Sequence, residues 1–171
     1  IRDTSVTGVQ TCALPILILI FSLDFCNFMR KRKLGNSSLF VSEIAIGSIN
    51  FGGKVDTSTA IKILDNAYEK GINFVDTSEV YPTPFSKSNY GKTEQIVGNW
   101  IKNKNRDSIV ISTKAAGPGE FINWIRNGKS LHNLKNLRSA VEGSLKRLGT
   151  DRKSTRLNSS HRCISYAVFC L

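Results

Sequence analysis

Residues 71–81 read Gly-Ile-Asn-Phe-Val-Asp-Thr-Ser-Glu-Val-Tyr and combine a helix end, a buried strand and a polar loop. Gly71 follows a helical pattern and is the residue type that most often ends a helix. Residues 72–75 predict a short strand. Asp76 ends this strand, and Tyr81 follows five residues later. The stretch therefore predicts one helix-to-strand unit of a parallel α/β fold.

The same alternation of helix and strand recurs on both sides of this stretch. The other predicted strands cover residues 44–47 and 109–111, and the predicted helices begin near residues 56, 93 and 134. Apolar side chains recur along one face of each helix, and Gly71 and Gly149 stand where helix ends are expected. A turn at Gly35 and Asn36 predicts a small hairpin before the first strand. The whole pattern predicts parallel strands joined by right-handed crossovers.

The number of strand–helix units leaves the form of the sheet open. Periodicity does not distinguish an open doubly wound sheet from a (β/α)8 barrel. Three units amount to well under half of a barrel, which typically takes about 250 residues. The pattern therefore predicts an incomplete part of a larger α/β domain.

The composition excludes two classes of protein. Of 171 residues, 40% are hydrophobic and 22% are charged, so the chain is neither a disordered tail nor a membrane bundle. Its 24 Lys and Arg residues exceed its 13 Asp and Glu residues, which gives a formal net charge of +11. Such a balance makes nucleic acids and anionic surfaces candidate partners.

The two ends of the chain show a relationship that folding does not explain. Residues 1–16 and 151–166 can be encoded by codons that are reverse complements of each other. Because no folding requirement acts on codons, we interpret residues 1–16 and 151–171 as translated, adapter-like sequence. We interpret residues 17–28 as translated upstream sequence. Residues 29–150 then form the native segment, the N-terminal part of its domain.

This interpretation removes two kinds of site from consideration. All four cysteines fall outside residues 29–150, so that segment predicts neither a disulfide nor a zinc site. The apolar run at residues 17–21 is too short to cross a bilayer, which takes about 20 residues. No basic region precedes it, as a signal peptide would require. We therefore expect a cytoplasmic protein without a metal site or a membrane anchor.

Three polar side chains stand near the carboxyl ends of the predicted strands, where parallel α/β folds gather their reactive groups. Asp76 follows the second strand, Lys114 follows the third, and Tyr81 lies in the loop after Asp76. Each residue alone is more often structural, as a cap, a solvated charge or a packing ring. Together they predict a proton donor suited to carbonyl reduction. An ammonium lowers the pKa of a neighbouring phenol, and a carboxylate keeps the ammonium charged and in place.

Several motifs resemble those of the aldo-keto reductases, and they run almost continuously through residues 29–150. The resembling stretches cover residues 32–35, 41–43, 47–52, 71–81, 112–114 and 144–150. Residues 81–84 (Tyr-Pro-Thr-Pro) and 97–100 (Val-Gly-Asn-Trp) look closest to the bacterial Tas-type subgroup.

The resemblance implies a (β/α)8 TIM barrel and NADP(H)-dependent reduction of aldehydes or ketones to alcohols. It implies that Tyr81 is the general acid, that Lys114 lowers the pKa of its phenol, and that Asp76 holds Lys114. The residues that it assigns to the cofactor, NADPH or NADP+, are Gly47, Ser48, Ile49 and Asp76. Ser48 replaces the family's usual threonine and keeps the hydroxyl. The expected partner is a small carbonyl substrate, with no nucleic acid and no membrane.

The main departure from the family pattern is a missing histidine. The family's fourth catalytic residue, a histidine, follows the fourth strand, but here the adapter-like sequence begins at residue 151. His161 belongs to that sequence, and His132 lies before the third helix. We therefore expect an inactive, truncated chain whose third strand has an unpaired edge.

Three other functions remain open from the sequence. Residues 30–33 (Arg-Lys-Arg-Lys) could contact nucleic-acid phosphates, although no recognition motif accompanies them. Residues 47–54 resemble a phosphate-binding loop only weakly, since they fit neither of the glycine-rich patterns for nucleotides. The third function is an NADPH-binding regulatory scaffold without turnover, and the presence of Asp76, Tyr81 and Lys114 argues against it.

Overall fold

The computed structural model describes residues 29–128, 131–150 and 166–170. The strands are β1 (Lys31–Lys33), β2 (Phe40–Ser42), β3 (Ile46–Gly47), β4 (Phe74–Asp76), β5 (Val110–Ala116) and β6 (Tyr166–Cys170). The helices are α1 (Thr57–Glu69), α2 (Lys92–Ile101) and α3 (Leu134–Leu148), with short 3₁₀ turns at Arg106–Ser108, Glu120–Ile122 and Ile125–Gly128. The order of these elements confirms the predicted mixed α/β fold.

β1 and β2 pair antiparallel and form the predicted hairpin, with Gly35 at a positive φ of 53° in the turn. The side chain of Asn73, which precedes β4, holds this hairpin. Its Oδ1 accepts from the Ser42 N–H at 2.7 Å, and its Nδ2 donates to the Phe40 carbonyl at 3.0 Å. The Ser42 hydroxyl accepts from the Asn73 N–H at 3.1 Å. Because Asn73 and Ser42 are buried, these bonds satisfy polar groups that water hardly reaches.

Three strands form a parallel sheet in the order β3, β4, β5, as the alternating pattern predicts. Gly47 pairs with Asp76, and Asp76 pairs with Ser112, so these residues lie at one level of the sheet. β5 continues beyond this level to Ala116, and Lys114 lies in that extension. The register therefore brings the ends of β3 and β4 next to Lys114.

β6 pairs antiparallel with β5, from Cys170 opposite Ser112 to Tyr166 opposite Ala116. The prediction that the third strand has an unpaired edge was therefore wrong. The physical reason is that residues 166–170, although set aside as adapter-like, include aromatic and β-branched residues that favour a strand. The interpretation of both termini stays a prediction, since residues 1–28, 151–165 and 171 lie outside the described residues.

An aspartate caps the start of α1, and a glycine ends α3. The carboxylate of Asp56 precedes α1 and accepts from the Thr59 N–H at 3.0 Å. Hydrogen bonds from the hydroxyls of Ser58 and Thr59 lower the pKa of Asp56. Gly149 ends α3 in the left-handed region, at φ 63°. These ends agree with the predicted helix starts and stops.

The main core lies between the parallel sheet and the helices. Its buried residues are Phe51, Ala60, Leu64, Val75, Ile96, Val97, Trp100, Ile101, Ile109, Ile111, Ala115, Ala140, Leu145 and Leu148. α2 and α3 pack backbone against backbone at Gly98. A Cβ atom there would lie 2.6 Å from the Arg147 carbonyl oxygen and 2.8 Å from the Leu148 Cα. The helix pair therefore requires glycine at this position.

In the described part of the chain, no helix is both long and apolar enough to cross a membrane. The longest of these helices, α3, has 15 residues, whereas a bilayer takes about 20. The same residues contain no group of three or more His, Cys, Asp and Glu side chains arranged to hold a metal ion.

Candidate active site

The loop that follows β4 runs beside β5. The Glu79 N–H donates to the Lys114 carbonyl at 3.2 Å. The Ser78 hydroxyl donates to the same carbonyl at 3.2 Å. These bonds hold the loop between Asp76 and Tyr81 against the strand that carries Lys114.

Lys114 forms an ion pair with Asp76 at the ends of the strands. Its Nζ lies 2.7 Å from Oδ1 and 2.6 Å from Oδ2 of Asp76, and it also donates to the Thr77 carbonyl at 2.7 Å. The side chain of Lys114 is 14% exposed and that of Asp76 is 38% exposed. Three oxygen atoms therefore hold the ammonium, and the Asp76 carboxylate, which supplies two of them, balances its charge in a setting where an unpaired charge would be costly.

Tyr81 lies against this ion pair. Nζ of Lys114 is 5.2 Å from the centre of the Tyr81 ring, within the range of a cation–π attraction. The ring is partly buried and stacks on Phe85, with centroids 6.5 Å apart and planes 9° apart. The structure thus brings together the three residues that the sequence predicts as catalytic, Asp76, Tyr81 and Lys114. Their chemical roles stay predictions.

Gly47, Ser48 and Ile49, predicted to bind the cofactor with Asp76, lie beside β4 in different settings. Ser48 is fully buried, and its N–H and hydroxyl both donate to the Asp76 carbonyl, at 3.0 and 2.7 Å. Gly47 is exposed, and a Cβ atom there would meet no atom within 4 Å. Ile49 is half-buried, and its carbonyl accepts from the Thr83 N–H at 3.1 Å. Gly47 therefore borders open space, whereas Ser48 fastens this loop to β4.

The structure describes one of the two histidines. His132 is exposed in the segment before α3. His161 lies outside the described residues. The absence of the family's catalytic histidine from this chain stays a prediction.

A buried glutamate in the loop after β4 was missed by the sequence analysis. Glu79 has no exposed surface. Its Oε1 accepts from the Ala116 N–H at 2.6 Å and from Nη2 of Arg126 at 2.8 Å. Its Oε2 accepts from the Tyr90 hydroxyl at 2.6 Å and from Nη1 of Arg126 at 3.0 Å. The available signal was a charged residue between small and apolar neighbours, but the sequence does not identify partners that are distant along the chain.

A second buried glutamate, Glu94, extends this network to the helices. The Thr113 hydroxyl donates to its Oε1 at 2.6 Å, and Nε of Arg147 donates to its Oε2 at 2.5 Å. Arg147 also lies 4.0 Å from Glu79 and 4.8 Å from the centre of the Tyr90 ring. Burial opposes the charge of Arg147, but the charge of Glu94 raises its pKa above the ordinary value. Burial first, and then the charge of Glu79, raise the pKa of Tyr90.

Aromatic rings extend from Tyr81 towards the surface. Phe85 contacts both Tyr81 and Phe121, and the centroids of Phe85 and Phe121 are 5.9 Å apart. Phe121 is 57% exposed. These rings make the surface next to Tyr81 apolar.

The comparison with known sequences finds one family. The profile of the Aldo/keto reductase family matches residues 43–163. Protein tas of Escherichia coli (strain K12) is 38% identical over 125 residues, which cover 72% of this chain and 36% of that protein. The uncharacterized oxidoreductase YrpG of Bacillus subtilis (strain 168) is 38% identical over 125 residues, which cover 72% of this chain and 37% of that protein.

A solved structure agrees with the sequence comparison. The holo form of aldo-keto reductase AKR11C1 from Bacillus halodurans aligns with a TM-score of 0.56 and 35% identity, over 72% of this chain and 37% of that chain. This chain thus spans a little over a third of the length of these relatives. The profile match covers more than half of the chain and includes every site residue described above. The chain therefore belongs to the aldo/keto reductase family of oxidoreductases.

Proposed function

We propose that this chain is the N-terminal part of an NADP(H)-dependent reductase that converts aldehydes and ketones to alcohols. The observation that carries this proposal is the ammonium of Lys114, which contacts the Asp76 carboxylate and the Tyr81 ring. We also propose that β3, β4 and β5, with the helices that follow them, are the first three units of a (β/α)8 barrel. Their parallel order and the polar groups at their carboxyl ends support this assignment.

In the proposed reaction, Tyr81 donates its phenolic proton to the carbonyl oxygen of the substrate. Lys114 stabilises the phenolate that remains, and Asp76 keeps Lys114 protonated and in place. A bound nicotinamide cofactor supplies the hydride that the carbonyl carbon accepts. The oxygen gains a proton and the carbon gains a hydride, so the carbonyl becomes an alcohol.

The edge of the sheet at Gly47 fits the nicotinamide end of such a cofactor. A planar ring requires close approach to the backbone, and Gly47 offers an exposed backbone with open space where a side chain would stand. Ser48 would act by fixing this loop to Asp76, since its hydroxyl is already bonded to the Asp76 carbonyl. Ile49 would form part of the wall with its half-buried side chain. The apolar rings beyond Tyr81 suit substrates with hydrophobic substituents.

The test uses the full-length protein that contains residues 29–150. We expect Tyr81→Phe to abolish the oxidation of NADPH by a panel of aldehydes, while the Kd for NADPH, measured by fluorescence titration, stays nearly unchanged. The matched control is Tyr68→Phe, which also removes a phenolic hydroxyl. That hydroxyl bonds to Ser108, in the turn before β5, at 2.9 Å. Undiminished turnover by Tyr81→Phe would refute the proton-donor role.

The alternatives have less support. In the basic hairpin, both Arg30 and Arg32 form ion pairs with Glu43, and the Arg30 pair measures 3.3 Å. This pairing reduces the charge available for nucleic-acid phosphates. A regulatory scaffold is distinguished by the same assay, because it would bind NADPH without reducing any carbonyl compound in the panel.

A further inference from the structure

Glu79 stands two residues before Tyr81 and connects the Tyr81 loop to β5. Its Oε1 accepts from the N–H of Ala116, which stands two residues after Lys114. We propose that Glu79 is a positioning residue that sets the distance between the Tyr81 phenol and the Lys114 ammonium. This proposal rests on the proposed function, because it assigns Tyr81 and Lys114 the roles given above.

The hydrogen bonds of Glu79 span the catalytic pair on both sides. The Glu79 N–H donates to the carbonyl of Lys114 at 3.2 Å, and the Glu79 carboxylate accepts from Ala116 at 2.6 Å. One residue of the Tyr81 loop therefore binds the backbone of β5 at Lys114 itself and just beyond it. A displacement of Glu79 would move the Tyr81 loop along or away from β5.

Arg126 secures this connection from the loop that follows β5. Both of its terminal nitrogens donate to Glu79, and Nη2 also donates to the Ala116 carbonyl at 2.9 Å. The guanidinium thus bonds to both ends of the Glu79–Ala116 contact. Arg126 has a φ of 49° and the neighbouring Asn127 a φ of 55°, a region that residues with side chains rarely occupy. The backbone thus adopts a disfavoured conformation at the residue whose side chain bonds to Glu79.

The environment of Glu79 leaves its carboxylate without contact to water. The charged and titratable groups that face it are Tyr90, Arg126 and Arg147. Two arginines oppose the two buried carboxylates of Glu79 and Glu94, so the network is balanced in charge. Each oxygen of Glu79 accepts two hydrogen bonds. A group so fully bonded has one favoured position, which is what a positioning role requires.

Glu94 provides a matched control in the same network. It is also fully buried and is bonded to Thr113 and Arg147. These contacts join α2, β5 and α3, and Arg147, which lies 4.0 Å from Glu79, links them only through a longer contact to the Tyr81 loop. Glu79 and Glu94 therefore share burial and the ionic partner Arg147, but Glu79 itself belongs to the Tyr81 loop and Glu94 does not.

The experiment compares Glu79→Gln with Glu94→Gln in the full-length protein. Glutamine keeps the shape of glutamate but carries no charge for Arg126 and can no longer accept all four bonds. We expect Glu79→Gln to lower kcat on the order of tenfold to a hundredfold, as misplacement of a catalytic group does. The Kd for NADPH should change less than about twofold, and the pH profile of kcat should be displaced. Glu94→Gln should lower the Tm and should change kcat and its pH profile less than Glu79→Gln does.

A second measurement does not depend on turnover. The ultraviolet absorbance of tyrosinate is followed against pH, and the Tyr81 signal is the difference from the matching Tyr81→Phe background. Glu79→Gln should raise the midpoint of the Tyr81 titration, because its phenol moves away from Lys114, and Glu94→Gln should not. Arg126→Lys keeps the positive charge but loses the guanidinium group that donates from two nitrogens. It should raise the midpoint of the Tyr81 titration by less than Glu79→Gln does.

Two outcomes would overturn the positioning role. One is a Glu79→Gln protein with an unchanged Tyr81 titration, whatever its Tm. The other is an equal displacement in Glu94→Gln. A wild-type protein that reduces no carbonyl compound would instead refute the proposed function, and the titration would still decide the positioning role.

Discussion

Asp76 and Lys114 form a bidentate ion pair across two neighbouring parallel strands, at 2.7 and 2.6 Å. Asp76 is in register with Ser112, which stands two residues before Lys114 on β5. Residues two apart on a strand point to the same face of the sheet. The pair is therefore supported by regular backbone on both sides, which holds the ammonium more rigidly than loops would.

This pair gives the first prediction, made for the full-length protein. Asp76→Asn should lower kcat on the order of a hundredfold, because the amide leaves Lys114 without a counter-charge. Steady-state NADPH oxidation measures the effect. Asp107→Asn, at an exposed position before β5, is the control and should behave as the wild type. An unchanged kcat in Asp76→Asn would contradict the role given to the carboxylate.

The open space at Gly47 gives a prediction about cofactor binding. Gly47→Val should change the free energy of unfolding by no more than about 0.5 kcal/mol, because Gly47 is exposed and a Cβ atom there meets no atom within 4 Å. It should raise the Kd for NADPH at least about tenfold, which corresponds to about 1.4 kcal/mol. Fluorescence titration and urea unfolding separate the two effects. A valine variant that binds NADPH normally would place the cofactor elsewhere.

The contact between α2 and α3 gives a prediction about stability. Gly98→Ala should destabilise the fold by about 1–3 kcal/mol, because the new Cβ overlaps the backbone of α3 at Arg147 and Leu148. Urea unfolding measures the loss. Ser139→Ala, on the exposed side of α3, should stay within about 0.5 kcal/mol of the wild type. Equal stabilities of the two variants would show that α2 and α3 do not pack at Gly98.

Removal of the Tyr90 hydroxyl should lower the stability of the fold, because it leaves the buried carboxylate of Glu79 with one hydrogen bond fewer. Tyr90→Phe deletes the 2.6 Å bond to Glu79 and should destabilise the fold by about 1–3 kcal/mol. Tyr68→Phe deletes the partly buried bond to Ser108 and should cost only about 0.5–1.5 kcal/mol. Thermal or urea unfolding compares the two. A larger loss in Tyr68→Phe would argue against a tightly bonded Glu79.

Asp65 gives a prediction about acid stability. Its pKa is lowered first by the hydrogen bond from Lys104 and then by that from Trp100, at 2.7 and 2.8 Å. A carboxyl group with a lower pKa in the folded state stabilises the fold above its unfolded pKa of about 3.9. This contribution disappears as the pH falls through the folded pKa.

Asp65→Asn should therefore lose less stability than the wild type as the pH falls from about 5 to about 2. Lys104→Met should also reduce the loss of stability at low pH, because it removes the main cause of the lowered pKa of Asp65. The Tm measured across this range tests both variants. Parallel curves for the wild type and Asp65→Asn would contradict the prediction.

The sequence predicts that Asp76 and Lys114 lie together because local patterns locate both residues. Each follows a predicted strand, and the carboxyl ends of parallel strands lie at one edge of the sheet, so their proximity follows from the strand order. The boundaries were less accurate: β5 was predicted at 109–111 but runs from Val110 to Ala116. Ala115 and Ala116 have weak strand propensity, and their burial against the core and the loops overrides it.

The Glu79 network and the pairing of β6 could not be predicted in the same way. Arg126 stands 47 positions from Glu79, beyond α2, β5 and a glycine-containing loop, so no periodicity relates the two residues. The antiparallel partner of β5 comes from a distant segment, and alternation of strands and helices predicts only parallel neighbours. Both features depend on tertiary contacts that local propensity does not encode.

Asn73 has a practical consequence for anyone who shortens the gene for expression. Its amide is bonded to Phe40 and Ser42 of the hairpin, while β4, which it precedes, ends at Asp76. A shortened version that starts after Ser42 would leave this buried amide without those partners, at the base of the strand that ends at Asp76. Expression boundaries should therefore be drawn upstream of the hairpin.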